Sequence, residues 1–231
     1  MRRVALVIFA VVGLVFAASL GLLLAMKRAH DGARQFAGTS SARSADPLKP
    51  DANAKDLSIP PFTLTDQDGR PITNDIFAGK VTIVDFFFTH CKLICPVLVQ
   101  HMQDQQRALI GTGVRLLSIS VDPEHDTPGV IKQYAGEHHA DEARWTFATG
   151  ERAMIGRIVQ EGLKFLVGED TSEKNVIDLG AGAKMNNILH PSWFVLVGPK
   201  GEVLGFYLAE MEEDMVALTE RARAASGKLG R

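Results

Sequence analysis

The sequence predicts an α/β domain, built as a mixed central sheet with flanking helices and an N-terminal hairpin, preceded by one transmembrane helix. Three observations lead to this prediction. An uncharged apolar run comes first, strand-like and helix-like patterns then alternate, and a hairpin with an amphipathic helix follows them. A chain of 231 residues holds one sizeable domain besides such an anchor, and its net charge of −2 argues against a nucleic-acid partner held by charge.

The apolar run covers residues 4–25 and contains no charged side chain. A helix needs about 20 such residues to cross the hydrocarbon core of a bilayer, whereas a cleaved signal peptide has an apolar core of about 7–15 residues. Lys27 and Arg28 end the run. We therefore predict a cytoplasmic N-terminus at residues 1–3 and an uncleaved transmembrane anchor at residues 4–26.

The stretch after the anchor, residues 27–58, is rich in Ala, Ser, Gly, Asp, Lys and Pro. It has neither helical nor strand periodicity, which is typical of a flexible spacer. The folded domain is therefore expected at residues 59–231.

Within that domain, β-branched and aromatic runs predict strands, and amphipathic stretches predict helices. The predicted strands are residues 62–65 and 71–73, which form the N-terminal hairpin, then 81–88, 114–121, 145–148, 192–197 and 202–207. The predicted helices are residues 96–110, 129–138 with Pro128 at the first turn, 152–163 and 210–225. Residues 167–188 show no firm pattern and are predicted to be an insertion.

The two cysteines of the chain, Cys91 and Cys95, lie where the predicted buried strand 81–88 ends and a helix begins. Free backbone N–H groups and the positive end of the helix dipole stabilise a thiolate at such a position and lower its pKa. The thiolate is the form that attacks disulfides and binds metals. A working thiol pair is therefore expected here rather than a disulfide that staples the fold.

The four-residue spacing of the pair bears on whether the two cysteines form a disulfide or bind a metal ion. Residues i and i+4 of a helix have Cβ atoms about 5–6 Å apart, whereas a disulfide needs about 3.8 Å. Two thiolates at the wider separation can hold one ion through bonds of about 2.3 Å. The spacing favours metal binding only slightly, because Cys91 at the helix entry also has freedom to approach Cys95.

The available ligands restrict which metal ion could bind to the pair. Soft thiolates favour Cu(I), zinc or iron–sulfur clusters, and a structural zinc or cluster site uses four protein ligands. This chain has two cysteines, so two thiolates completed by one imidazole suit copper better.

His190 is the leading candidate for that imidazole. It precedes Pro191, which disfavours a helical backbone and places the ring on a loop at one end of the sheet. An ordinary surface histidine remains an equal interpretation from the residues alone. His90 could be an alternative ligand or an electrostatic activator, Met185 a further contact, and His101 falls off the cysteine face of the helix.

Three motifs in register resemble the SCO/SenC family of copper chaperones for cytochrome c oxidase. They are Thr-His-Cys-Lys-Leu-Ile-Cys-Pro at 89–96, Asp-Pro-Glu-His-Asp-Thr-Pro at 122–128, and the segment 190–201 that begins with His190. The similarity runs from about Pro60 to Leu218 in the same order. Here Leu189 and Pro191 flank the histidine, where the family commonly has an acidic residue before it and Ser or Thr after it.

This resemblance implies a thioredoxin-like fold and copper binding, as Cu(I) or Cu(II), by Cys91, Cys95 and His190. It further implies delivery of copper to the binuclear copper site of an oxidase subunit, or reduction of the thiols of that site. A single-pass protein of the cell inner membrane, with its domain on the periplasmic side, is also implied.

Two other functions remain open at this point. A thiol-disulfide oxidoreductase would use Cys91 and Cys95 as a redox-active pair without metal. A peroxiredoxin is a weaker alternative, since its reactive cysteine also lies at a helix start. His190 separates copper binding from disulfide chemistry, because a reductase needs no distant imidazole.

Overall fold

The computed structural model describes residues 43–230, with gaps at 92–93, 171, 173–174, 181 and 191. The predicted cytoplasmic N-terminus and the anchor at residues 4–26 lie outside this range. Of the helices in the described part, none combines the length and the apolar character that a membrane span requires.

Ten strands and four main helices make up the described domain. The strands are β1 (Thr63–Asp66), β2 (Pro71–Thr73), β3 (Thr82–Phe87), β4 (Arg115–Ser120), β5 (Trp145–Thr149), β6 (Gly168–Asp170), β7 (Val176–Gly180), β8 (Ala183–Leu189), β9 (Trp193–Val197) and β10 (Val203–Leu208). The helices are α1 (Cys95–Ala108), α2 (Pro128–Glu137), α3 (Arg152–Gly156) and α4 (Glu212–Leu229). A 3-10 turn spans Asn74–Phe77, and a π-helical segment, Arg157–Gly162, follows α3.

Seven of the strands form one sheet in the order β10-β9-β3-β4-β5-β1-β2. Strands β3, β4 and β5 run parallel, whereas β9, β10, β1 and β2 pair antiparallel with their neighbours. The unit β3-α1-β4 therefore adjoins the unit β9-β10-α4 through the β3–β9 pair. The predicted mixed sheet with an N-terminal hairpin is confirmed.

The centre of the sheet is buried on both faces. Every residue of β3 and every residue of β9 is buried, so helices must cover both sides of these strands. Helix α1 packs on β3 and α4, and α2 packs on β5. The carboxyl ends of the parallel strands β3 and β4 therefore lie side by side at one end of the sheet, where α1 begins.

The domain begins before residue 59, which corrects the predicted extent of the spacer. Ala54 is fully buried, and the carboxylate of Asp51 forms a buried ion pair with Arg221 of α4 at 2.7 Å. Gly205 of β10 leaves room for Asp51, since a Cβ there would overlap its carboxylate. These contacts are made by single anchoring residues and leave no periodic pattern in the sequence.

The predicted insertion is a small sheet of its own. Strands β6, β8 and β7 pair antiparallel in that order, and a turn with positive φ at Gly180 and Gly182 connects β7 to β8. The strands are short and contain few β-branched residues, so their sequence lacks a clear alternation. The last strand, β8, ends directly before His190.

Candidate metal centre

Cys91 and Cys95 are both placed by the junction between β3 and α1. The chain leaves β3 through Phe88, whose carbonyl accepts a hydrogen bond from the Cys91 backbone N–H at 3.2 Å. Cys95 is the first residue of α1, and Pro96 fits the first turn because it has no N–H to leave unpaired. Cys95 is 1% exposed and Cys91 8% exposed, so both thiols lie beneath the surface.

His190 reaches the thiols from the far end of the sequence. Its Nε2 lies 3.4 Å from Cys95 Sγ, although 95 positions separate the two residues. The ring packs edge-on against Phe88, with centroids 5.7 Å apart and planes at 80°. The same Phe88 therefore turns the chain towards Cys91 and holds the imidazole against Cys95.

These three donors fit one soft metal ion. Their ligand atoms all lie within 4.8 Å of one another, and in the described part of the chain this is the one group of three or more His, Cys, Asp or Glu residues with such spacing. With bonds of about 2.3 Å to sulfur and 2.0 Å to nitrogen, the 3.4 Å separation of Cys95 Sγ and His190 Nε2 corresponds to an angle of about 105° at the metal. That angle lies near the tetrahedral value.

Without a metal, the thiol of Cys95 is held protonated. The hydrogen bond with Cys91 raises its pKa, and burial raises it further. The expected lowering of the thiol pKa at the helix N-terminus is not found for Cys95, where the neighbouring sulfur and the loss of water raise the pKa. A bound cation reverses this balance, so metal binding to the pair must release protons.

Two buried carboxyl groups support the junction, and neither was predicted as a site residue from the sequence. Asp126 accepts hydrogen bonds from the backbone N–H of Thr89 at 3.1 Å and from its hydroxyl at 2.5 Å. It also accepts from Ser120 Oγ at 2.5 Å. Asp126 thus connects the end of β4 to the loop that precedes Cys91.

The second group, Asp85, lies in the middle of β3 and is fully buried. Ser118 Oγ donates to it at 2.5 Å, and Trp145 Nε1 donates in turn to Ser118 Oγ at 2.9 Å. Burial raises the pKa of Asp85 to about 7, although the bond from Ser118 opposes the rise. A carboxylate inside an otherwise apolar strand was the sequence signal that could have identified it.

The other candidate ligands lie elsewhere. His101 packs its ring against Phe194, with centroids 6.2 Å apart, and Met185 is half-buried within β8. His90 stands beside Cys91 but contacts the ring of His125 at a centroid distance of 5.7 Å. The described geometry therefore brings together Cys91, Cys95 and His190 and leaves the alternatives outside the group.

Known proteins share this arrangement of the chain. The SCO1 protein homolog of Bacillus subtilis (strain 168) is 36% identical over 152 residues, which cover 64% of this chain and 72% of that protein. The structure of Bradyrhizobium japonicum ScoI with copper bound matches with a TM-score of 0.58 at 25% identity, over 71% of this chain and 99% of that one. BsSco, a member of the Sco family of cytochrome c oxidase assembly proteins with an identified disulfide switch, matches with a TM-score of 0.59 at 30% identity, over 74% and 94% of the two chains.

These structural likenesses confirm the expected thioredoxin-like fold. The sequence model of the SCO1/SenC family matches residues 50–224, which include the cysteine pair, the Asp122–Pro128 turn and His190. The start of the match also agrees with a domain that includes Asp51. The chain belongs to the SCO1/SenC family.

Proposed function

We propose that this protein is a copper metallochaperone that holds one copper ion through Cys91, Cys95 and His190. One observation carries the proposal: three donors from two distant parts of the chain meet within 4.8 Å. The copper-bound structure of Bradyrhizobium japonicum ScoI supports the choice of metal. Soft sulfur donors with one imidazole also match the preference of copper.

The surroundings of the three residues suit a cargo ion better than a permanent structural one. The two sulfurs are buried, which protects them from solvent oxidants, whereas His190 is half-exposed and follows Leu189, 54% exposed. An acceptor protein can approach on the histidine side and offer its own ligands there. A three-coordinate ion accepts an incoming ligand without first losing one, which permits transfer by ligand exchange.

The acceptor we propose is a cytochrome c oxidase subunit, with the copper destined for its binuclear copper site. The family membership supports this destination, as does the description of BsSco as an oxidase assembly protein. The apolar run at residues 4–25 supports a single-pass anchor in the cell inner membrane, with the domain on the periplasmic side.

The second candidate function is thiol-disulfide exchange by Cys91 and Cys95 without metal. The backbone N–H of Cys95 donates to Cys91 Sγ at 3.4 Å, so the two residues already lie side by side, with no disulfide between them. The disulfide switch of BsSco supports redox activity of such a pair. The placement of His190 against Cys95 favours copper binding over this alternative, because disulfide exchange has no use for it.

The variant His190→Ala tests the two functions against each other. We expect it to lose tight Cu(I) binding in competition with a chelator and to keep both thiols available for disulfide exchange. His101→Ala is the matched control, since it removes an imidazole packed on Phe194 and should leave copper binding unchanged. Tight Cu(I) binding by a folded His190→Ala variant would refute the three-ligand site.

The same variant tests the destination in cells. The experiment uses a strain that lacks this protein and produces His190→Ala at the abundance of the wild-type protein. Without added copper, this variant should fail to restore oxidase activity. Cys91→Ser and Cys95→Ser should fail in the same way. Full restoration by His190→Ala would leave disulfide exchange as the function.

A further inference from the structure

Two imidazoles outside the cluster of Cys91, Cys95 and His190 lie next to it. His90 comes from the loop after β3 and His125 from the loop after β4, and their ring centroids are 5.7 Å apart with planes at 73°. Both rings are half-buried. His90 directly precedes Cys91, so the pair stands beside the thiols at the same edge of the sheet.

The orientation of the His125 ring is fixed by a buried carboxylate. Its Nδ1 lies 2.8 Å from Asp122 Oδ2, and the side chain of Asp122 is 1% exposed. A carboxylate accepts hydrogen bonds, so Nδ1 of His125 carries the proton. In the neutral ring, Nε2 then presents a lone pair. Metal-binding histidines donate their other ring N–H to a carboxylate, a backbone carbonyl or water, and His125 has the first of these partners.

His90 is oriented in the same way by a different neighbour. Its Nδ1 lies 3.3 Å from Thr89 Oγ1, and that hydroxyl gives its one hydrogen to Asp126 at 2.5 Å. The hydroxyl can therefore only accept from His90, so Nδ1 of His90 is protonated. Nε2 of His90 is again the nitrogen with the lone pair.

The separation of the rings suits one shared ion. Two imidazoles that bind the same metal, with metal–nitrogen bonds of about 2.0–2.1 Å, have centroids about 4.5 Å apart at a bond angle of about 90° and about 6.4 Å apart at about 180°. The observed 5.7 Å falls within this interval. Binding then requires rotations about the side-chain bonds that point both Nε2 atoms at the same ion.

We propose that His90 and His125 form a second copper site, which binds Cu(II) more weakly than the thiol site binds its ion. Imidazole nitrogen is an intermediate donor, and Cu(II) ranks first among the divalent first-row metals at such sites. Water completes the coordination, because the pair supplies two ligands. The proposal rests on the proposed function in one respect, namely that copper is the cargo. It gives the protein a position for a second ion on the approach to Cys91.

The test uses the full chain with the substitutions Cys91→Ser, Cys95→Ser and His190→Ala, which remove the proposed thiol site. This background should bind one equivalent of Cu(II) with nitrogen hyperfine structure in its electron paramagnetic resonance spectrum and no sulfur-to-copper absorption. Adding His90→Gln or His125→Gln should abolish that equivalent. Asp122→Asn should keep the ligand and weaken binding about 10–100-fold, since it removes the group that orients His125.

The matched control is His138→Gln with His139→Gln, which removes two neighbouring histidines at the end of α2 and should change nothing. Absence of Cu(II) binding to a folded background, or equal binding after His90→Gln, overturns the proposal. Circular dichroism of each variant identifies any that fail to fold, and His90→Gln changes a half-exposed side chain. The thiol site is tested separately, by measuring Cu(I) binding to the wild-type chain. If the proposed thiol site is wrong, that chain will not bind Cu(I) tightly.

Discussion

The carboxylate of Asp51 meets the guanidinium of Arg221 at 2.7 Å, with both side chains less than a tenth exposed. Arg221 also donates to the hydroxyl of Tyr207 and to the carbonyls of Lys49 and Leu204. One arginine of α4 therefore holds the segment that enters the domain. A buried pair of this kind is costly to break, because the remaining charge is left without compensation.

The first prediction concerns this pair. Asp51→Ala should lower the free energy of unfolding by about 3–5 kcal/mol, whereas Asp51→Asn combined with Arg221→Met should cost less than Asp51→Ala alone. The control is Lys228→Ala, which breaks the exposed pair with Asp46 between the same segment and the same helix. It should cost at most about 1 kcal/mol.

Urea unfolding of the metal-free, reduced protein measures these differences. Equal costs for Asp51→Ala and Lys228→Ala would show that the buried pair does not secure the entering segment. A changed dependence on urea concentration would instead point to a denatured state of different compactness.

The second prediction follows from the buried Asp85. Its pKa is about 7 in the folded protein and about 3.9 in an unfolded chain. Between these values the unfolded state loses a proton that the folded state keeps, so stability must fall as pH rises from about 4 to about 7. Cys95 and Tyr134 face the same region, and both have raised pKa values, so they stay neutral over this interval.

The free energy of unfolding of Asp85→Asn minus that of the wild type should therefore be about 2–4 kcal/mol larger at pH 8 than at pH 5. This range follows because one pKa unit corresponds to about 1.4 kcal/mol. Unfolding free energies of the metal-free protein at both pH values give this difference. Asp104→Asn, at an exposed position of α1, is the control and should follow the wild type. A stability difference between Asp85→Asn and the wild type that is the same at pH 5 and pH 8 would contradict the assignment.

The third prediction concerns the N-terminal run at residues 4–25. A reporter fused after Arg231 should be active only outside the cytoplasm, and the native protein should fractionate with membranes. Replacing two apolar residues of the run, Leu14 and Leu20, by Arg should release the protein or stop its export. Recovery of the native protein as a soluble chain that starts near residue 30 would refute an uncleaved anchor.

The sequence predicts the central sheet well because its strands carry their own signal. The apolar run at 81–88 contains the whole of β3, and Pro128 marks the start of α2 as expected. The predicted helix at 152–163 is α-helical only to Gly156 and becomes π-helical from Arg157. Local propensity does not distinguish these two hydrogen-bond patterns.

The candidate site is predictable only in part. The cysteine pair at a strand–helix junction is a local pattern, whereas the approach of His190 to Cys95 depends on a contact across 95 positions. Residue types alone therefore left His190 equal to a surface histidine, and the family resemblance selected it. The supporting carboxyl groups of Asp85 and Asp126 act through partners on neighbouring strands, which a single sequence does not reveal.

The separate origin of the three donors has a consequence for how an ion leaves. Both sulfurs belong to the central fold, whereas the imidazole is carried at the end of the small sheet β6-β8-β7. Withdrawing the imidazole requires only a local opening of that sheet, and the core can stay closed. We therefore expect amide exchange to be faster in β8 than in β3, and exchange in β8 to slow when copper is bound.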